Sequence, residues 1–228
     1  MNLLCVDSSG TTLAVAVMND KEVLASFNED TGLTHSCTLM PKIIEMLKKS
    51  GLELSDIDYF VCVNGPGSFT GLRIGGAAMK ALCHAMDKKM VAVSSLDSLM
   101  HNIENFDGLI CPMIDARRKE VYGALYENGE KILEDCGIYL DELFEIIKKK
   151  NKNVIFLGDG AVNYKDYIKE KLSDISFFAP YDKNLSNAVS AGKAALLKIE
   201  EGKVLSYRDF ELSYLKPSQP ERQQNIRV

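Results

Sequence analysis

The apolar positions fall into short runs and helical stripes that alternate along most of the chain. Asn2–Val6 is an apolar run that ends at Asp7, and Ser8-Ser9-Gly10-Thr11-Thr12 is turn chemistry. Leu13–Met18 and Glu22–Phe27 read as two further strands around the turn Asn19-Asp20-Lys21, giving an antiparallel meander. The period then changes. Leu39, Ile43, Met46 and Leu47 recur at spacings of four, three and one, which is helical. Pro41 is tolerated only in a first turn, so the spacing predicts a regular helix starting near Thr38–Met40 and stopping at Gly51. Asp58–Val63 is a buried strand, Thr70–Met86 a helix, Met90–Val93 a strand and Ser95–Asn102 a short helix.

The same order then repeats. Leu109–Asp115 and Glu120–Glu127 predict a hairpin around Ala116-Arg117-Arg118-Lys119, with Lys131–Tyr139 as a third strand. Leu140–Lys150 is a helix, Val154–Leu157 a strand, Gly158-Asp159-Gly160 a turn, Tyr164–Leu172 a helix, Ile175–Phe178 a short strand and Asn187–Glu201 a long helix. Asp209–Val228 reads as a polar tail, only partly ordered. Each half opens with a strand ending in Asp (Asp7, Asp115), a short loop and a returning strand. The division expected is 1–104 for a first lobe and 105–228 for a smaller second lobe, whose last helix packs back on the first.

Composition narrows the function classes. With 46% hydrophobic and 26% charged residues, the 228-residue chain has the makeup of a soluble globular protein. A net charge of −5 argues against a surface that grips a nucleic acid backbone unaided. The six cysteines have no CxxC spacing, which disfavours a zinc cluster and predicts reduced thiols. The start MNLLCVD has no basic stretch and too short an apolar run for a signal peptide or membrane helix, so a cytoplasmic protein is expected.

Two segments carry candidate chemistry. Asp7, Ser8, Ser9 and Gly10 form an acidic strand end followed by a small polar turn, a place where amides and hydroxyls can cradle phosphate and a carboxylate can hold a metal. The same residues also make ordinary turns. Asn64–Gly76, NGPGSFTGLRIGG, is a glycine-rich strand-to-helix turn. Ser68 or Thr70 caps its helix, Arg73 lies on the first turn, and the helix N-terminus can face an anion. Gly71, Gly75, Gly76, Ala77, Ala78 and Ala81 give the helix a smooth face, which invites close approach by the Met40–Lys49 helix or by a second subunit. His35-Ser36 has no identifiable orienting carboxylate, so no catalytic triad is read there. His84 and His101 each lack a second histidine at helical spacing. The run Lys148-Lys149-Lys150 suits a helix C-terminus.

Taken in order, Leu4-Cys5-Val6-Asp7-Ser8-Ser9, His35-Ser36 with Leu39 and Pro41, GPGSFTGLRIG at Gly65–Gly75, Val93-Ser94-Ser95-Leu96, Asp115-Ala116-Arg117-Arg118 with Glu120-Val121-Tyr122, Gly158-Asp159-Gly160, and Tyr214-Leu215 followed by Pro217 resemble the TsaD/TsaB family of the actin–Hsp70-like superfamily, on its TsaB branch. Tyr-Leu-Lys-Pro in place of the more usual Tyr-Leu-Arg is a mild departure. The resemblance implies a two-lobed α/β fold of the actin/Hsp70/sugar-kinase (ribonuclease H-like) kind, each lobe a mixed sheet flanked by helices. It implies work in transferring threonylcarbamoyl to adenosine 37 of tRNAs reading ANN codons, beside a TsaD-type catalytic subunit and a TsaE-type ATPase.

The resemblance also implies a homodimer when the chain is alone, a similar interface with the TsaD-type subunit, and tRNA contact only through the complex. Cofactors of the chain's own, catalytic residues and metal ligands are none, with ATP or ADP at the level of the complex. TsaD-type chains hold a metal through an HxxxH pair, and Ser95 and Leu99 stand at those positions here. The expected partner interface comprises His35, Leu39, Ile43, Met46, Leu47, Arg73, Gly75, Ala78 and Leu82, and Asp7–Gly10 is at most a vestigial phosphate turn. The alternative reading is a superfamily ATPase or small-molecule kinase using the Asp7 turn.

Overall fold

The computed structural model describes residues 1–29 and 34–215. Its first sheet has five strands in the order β3-β2-β1-β4-β5: β1 (Asn2–Asp7), β2 (Leu13–Asn19), β3 (Val23–Glu29), β4 (Tyr59–Gly65) and β5 (Lys89–Ser94). β1 and β2 are antiparallel, as are β2 and β3, whereas β4 lies parallel to both β1 and β5. The second sheet repeats the scheme in the order β10-β9-β6-β7-β8, from β6 (Leu109–Asp115), β7 (Glu120–Glu127), β8 (Glu130–Tyr139), β9 (Val154–Leu157) and β10 (Ser176–Phe178). The duplication read from the two strand-terminal aspartates is therefore a duplication of topology.

The central strands are apolar without interruption because both faces of the first sheet are covered. On one face Leu4, Val6, Val15, Val17, Phe60 and Cys62 meet Leu39, Ile43, Met46 and Leu47 of α1 (His35–Ser50) and Met79 and Cys83 of α2 (Phe69–Ala85). On the other, Leu3, Cys5, Ala14, Ala16, Val61 and Val63 meet Ala188, Ala191, Ala194 and Ala195 of α7 (Ala188–Glu200). That second contact is small against small. A Cβ on Gly192 would stand 2.2 Å from the Met18 sulfur. α7 packs beside α3 (Ser95–Met100), which lies on the second sheet through Leu96, Leu99 and Met100. α4 (Leu140–Lys150) and α6 (Lys165–Leu172) cover the outer face of that sheet, and α5 (Asp159–Asn163) precedes α6.

Two expectations change. α1 begins at His35, a turn earlier than Pro41 suggested. Proline removes only the bond to the Cys37 carbonyl, and Cys37 is exposed to water, so the helix runs through. Gly158-Asp159-Gly160 is the start of α5: Gly158, at φ 94°, is its N-cap. The described residues of the tail, 209–215, follow a chain that returns to the first sheet. Leu205 bridges Met90, Ser213 N donates to the Asn64 carbonyl at 2.8 Å, and Phe210, only 3% exposed, joins the first core. Pro217 lies outside the described residues. The six cysteines are free, four of them buried. No helix among the described residues is long and apolar enough to cross a membrane.

Candidate functional site

β1 delivers Asp7 to the C-terminal end of the first sheet, and the turn after it is locked by its own side chains. Asp7 Oδ1 accepts from Ser9 N at 2.9 Å and from Ser9 Oγ at 2.6 Å. Burial raises the Asp7 pKa, against hydrogen bonds from Ser9, Ser186 and Asn187 that lower it. Ser8 Oγ donates to the Gly71 carbonyl at 2.9 Å, and Ser68 N donates to the Ser9 carbonyl at 2.7 Å. His35 Nε2 donates to the Gly10 carbonyl at 3.0 Å, tying the first turn of α1 to the same loop.

The glycines of the NGPGSFTGLRIGG segment make this approach possible. A Cβ on Gly71 would lie 2.0 Å from the Ser8 carbonyl oxygen, and one on Gly75 would lie 2.2 Å from Ser8 Oγ. Gly65, at φ 121°, faces the Ser213 backbone, and Gly76 faces Phe210 and Leu212. Ser68, the first of the two expected caps, accepts from Gly71 N at 3.3 Å. Arg73 folds back over the first residue of the helix. Its guanidinium lies 3.7 Å from the Phe69 ring and its Nε donates to Tyr214 Oη at 3.3 Å.

Between the two sheets lies a cleft of about 700 Å³. Ser9, Gly10, His35, Gly67 and Ser68 line one wall, and Asp115, Asp159 and Tyr122 the other. Ser95 and Leu99, from successive turns of α3, also line it. Ser95 is 2% exposed and its hydroxyl has no protein partner among the described residues. Burial, with the neighbouring Asp115 charge added, raises the Asp159 pKa against several backbone hydrogen bonds. Among the described residues neither Lys nor Arg lines the cleft. His84 packs on Tyr207 with ring centroids 4.4 Å apart, and His101 is half-buried with its pKa lowered by burial.

The family model described as "TsaD: tRNA N6-adenosine threonylcarbamoyltransferase" matches residues 17–213. The Bacillus subtilis "tRNA threonylcarbamoyladenosine biosynthesis protein TsaB" is 36% identical over 181 residues, 78% of this chain and 79% of that one. The chain belongs to the TsaB family. The TsaB of Haemophilus influenzae is 28% identical over 236 residues, 95% of this chain and 94% of its own. Among solved structures, a Pseudomonas aeruginosa protein described as similar to peptidase YEAZ superposes with a TM-score of 0.81 at 24% identity, covering 94% of this chain and 99% of that one. An inorganic polyphosphate/ATP-glucomannokinase from Arthrobacter shares the fold at a TM-score of 0.51 and 10% identity, covering 86% and 99%.

For this TsaB-family chain, the residues assigned to a partner interface separate into two sets. Leu39, Ile43, Met46 and Leu47 point into the chain's own first core, and Gly75 is filled by Ser8. The physical reason is that this stripe of α1, together with Met79 and Cys83 of α2, covers the apolar β1–β2–β4 face. Ala78 and Leu82 are half-buried against the same core. His35 is half-buried on Gly10, and Arg73 is at the surface beside Tyr214. The outward stripe instead carries Met40 and Ile44 on α1, which is 63% exposed at Ile44, with Ala77 and Ala81 on α2. Helical spacing of four from an inward residue could not reveal this stripe; a one-position offset from Leu39 and Ile43 does.

Sequence reasoning missed one polar cluster. Asp97 of α3 accepts from Lys131 Nζ and Tyr126 Oη, each at 2.7 Å, and lies 3.5 Å from Lys198 Nζ. Lys131 also pairs with Asp135 at 2.7 Å, and Ser94 Oγ donates to Asp135. The cluster joins β5, α3 and α7 to β7 and β8, across the two sheets.

Proposed function

We propose that this chain is a noncatalytic scaffold subunit of the complex that transfers threonylcarbamoyl to adenosine 37 of tRNAs reading ANN codons. It docks on a TsaD-type catalytic subunit, works together with a TsaE-type ATPase, and pairs with itself when alone. Membership of the TsaB family supports the tRNA-modification role. The observation that carries the noncatalytic part is the pair Ser95 and Leu99 on the cleft wall. An isobutyl group has no lone pair to give a metal, and one buried hydroxyl is a poor ligand without a second donor.

The docking surface is the outer face of the α1–α2 pair, with Met40, Ile44, Ala77 and Ala81 at its centre. A flexible methionine, an exposed isoleucine and two alanines offer apolar area with little bulk, which suits close helix-on-helix contact. The same face serves the homodimer and the heterodimer, so the two exclude one another. Nucleotide is bound by the complex and not by this chain, because its Asp7 turn is spent on internal hydrogen bonds. Co-purification with a TsaD-type subunit tests the proposal: a stoichiometric complex is expected, and no complex formation refutes it.

A further inference from the structure

The β6–β7 hairpin is closed by residues that resist its backbone. Arg117, Arg118 and Lys119 have φ of 68°, 58° and 61°. Glu120 N donates to the Arg117 carbonyl at 3.2 Å, so Arg118 and Lys119 hold the two central left-handed positions. Asn-Gly is the pair that suits such a turn. The strained geometry is braced from beneath. Asp115 Oδ1 accepts from Arg117 N at 2.7 Å and from Tyr164 Oη at 2.9 Å, while its Oδ2 accepts from Asn163 Nδ2 at 3.0 Å. Lys119 N donates to Tyr164 Oη at 3.2 Å, and the Lys119 carbonyl accepts from Leu140 N at 2.9 Å.

The bracing carboxylate is thereby committed to the backbone and to Tyr164 and Asn163, not to the guanidinium groups. Arg117 and Arg118 are exposed, and neither side chain has a hydrogen bond, ion pair or ring contact among the described residues. Lys119 Nζ lies 3.9 Å over the Tyr167 ring, with Lys171 Nζ 5.4 Å from the same ring. Lys165 and Lys169, on the same helix as Tyr167 and Lys171, sit over Phe178 of β10. Glu170 pairs with Lys171 at 3.0 Å, Asp141 is held by Tyr167 Oη at 2.6 Å, and Glu120 follows the turn directly.

We propose that the Arg117–Arg118 turn, with Lys119 behind it, is a docking point for the phosphodiester backbone of the tRNA substrate in the assembled complex. The proposal rests on the function proposed above. Guanidinium groups bind phosphate bidentately, and a fixed backbone presents two of them at little entropic cost. On a chain of net charge −5, such a turn is a local cationic feature that orients a polyanion. Phosphate contacts position RNA without reading its sequence, which suits a subunit that serves many tRNAs.

The test is the salt dependence of binding between an ANN-reading tRNA transcript and the complex reconstituted with TsaD- and TsaE-type subunits. Losing two phosphate contacts in the Arg117→Ala/Arg118→Ala variant lowers the slope of log K against log salt by about 1.4–1.8. A second variant, Arg118→Asn/Lys119→Gly, supplies the residues the turn prefers. It is expected to melt about 2–4 °C higher and still bind tRNA more weakly. Unchanged slopes with intact assembly overturn the proposal while leaving the functional reading standing. Loss of subunit assembly without tRNA also overturns it, in favour of an acidic protein partner. A wild-type chain that never assembles with the TsaD-type subunit overturns the functional reading, and this inference with it.

Discussion

Ser8 and Gly71 are joined by a hydrogen bond from the Ser8 hydroxyl to the Gly71 carbonyl, 2.9 Å long, at the point where α2 comes closest to the β1–β2 turn. Gly71 and Gly75 make room for this contact. Gly71→Ala would drive a methyl group against the Ser8 carbonyl, which cannot move without dislocating β1, and is expected to cost about 3 kcal/mol or more. Gly75→Ala meets only the Ser8 hydroxyl, and the Ser8 Cβ is 3.4 Å away. Adding Ser8→Ala to Gly75→Ala should therefore restore part of the stability, roughly 1 kcal/mol, and should do nothing for Gly71→Ala. Urea denaturation of the double-mutant cycle measures it; equal rescue of both variants would contradict the geometry.

The Asp97–Lys131 cluster predicts a pH dependence. Burial would raise the Asp97 pKa, but hydrogen bonds from Lys131 and Tyr126 and the charges of Lys131 and Lys198 hold it below the ordinary carboxylate value. Its folded pKa is thus lower than its unfolded one. The stability it contributes is present above the unfolded value, near pH 4, and is lost as pH falls through the folded value. Lys131 is the mirror case: burial opposes its charge, yet Asp135 and Asp97 raise its pKa, so its contribution fades only as pH rises beyond the usual lysine range. Asp97→Asn should cost about 1–3 kcal/mol at pH 7, a difference that shrinks below pH 4. Thermal melts across pH 2–7 of wild type and variant decide this.

Much of the fold was readable because it rests on local pattern. The doubly covered strands read as apolar runs, and the Asp7 and Asp115 strand ends marked the duplication. What escaped was what fills a space. Small residues on α2 announce a close neighbour but do not say whether it is Ser8, Phe210 or another subunit; for Gly71 and Gly75 it is Ser8, and for Gly76 it is Phe210 with Leu212. The inward stripe of α1 was likewise visible while its buried destination was not. The Asp97–Lys131 cluster joins side chains brought together only when the sheets stack, and each looks like a surface charge in the sequence.

Association should respond to the outer stripe and not to the inner one. Ile44→Glu and Ala81→Glu place a charge where a partner helix would lie, and each is expected to abolish the homodimer while the circular dichroism spectrum of the folded chain is kept. Ile43→Glu, one residue away, should unfold the chain, because Ile43 is 1% exposed. Light scattering with circular dichroism separates these outcomes. A dimer that survives both outer variants would place the interface elsewhere.

The cleft should not take nucleotide in the isolated chain. Its described lining offers Asp115 and Asp159 and no Lys or Arg. Calorimetry with ATP and magnesium is expected to show no binding, whereas micromolar affinity with turnover would restore the kinase or ATPase reading.

The most direct measurement is threonylcarbamoyl transfer to an ANN-reading tRNA, followed by nucleoside mass spectrometry, with the subunits added singly and together. The account predicts no modified adenosine from this chain alone, modification when it joins the TsaD- and TsaE-type subunits, and loss of that stimulation with Ile44→Glu. Modification by this chain without the TsaD-type subunit would contradict it.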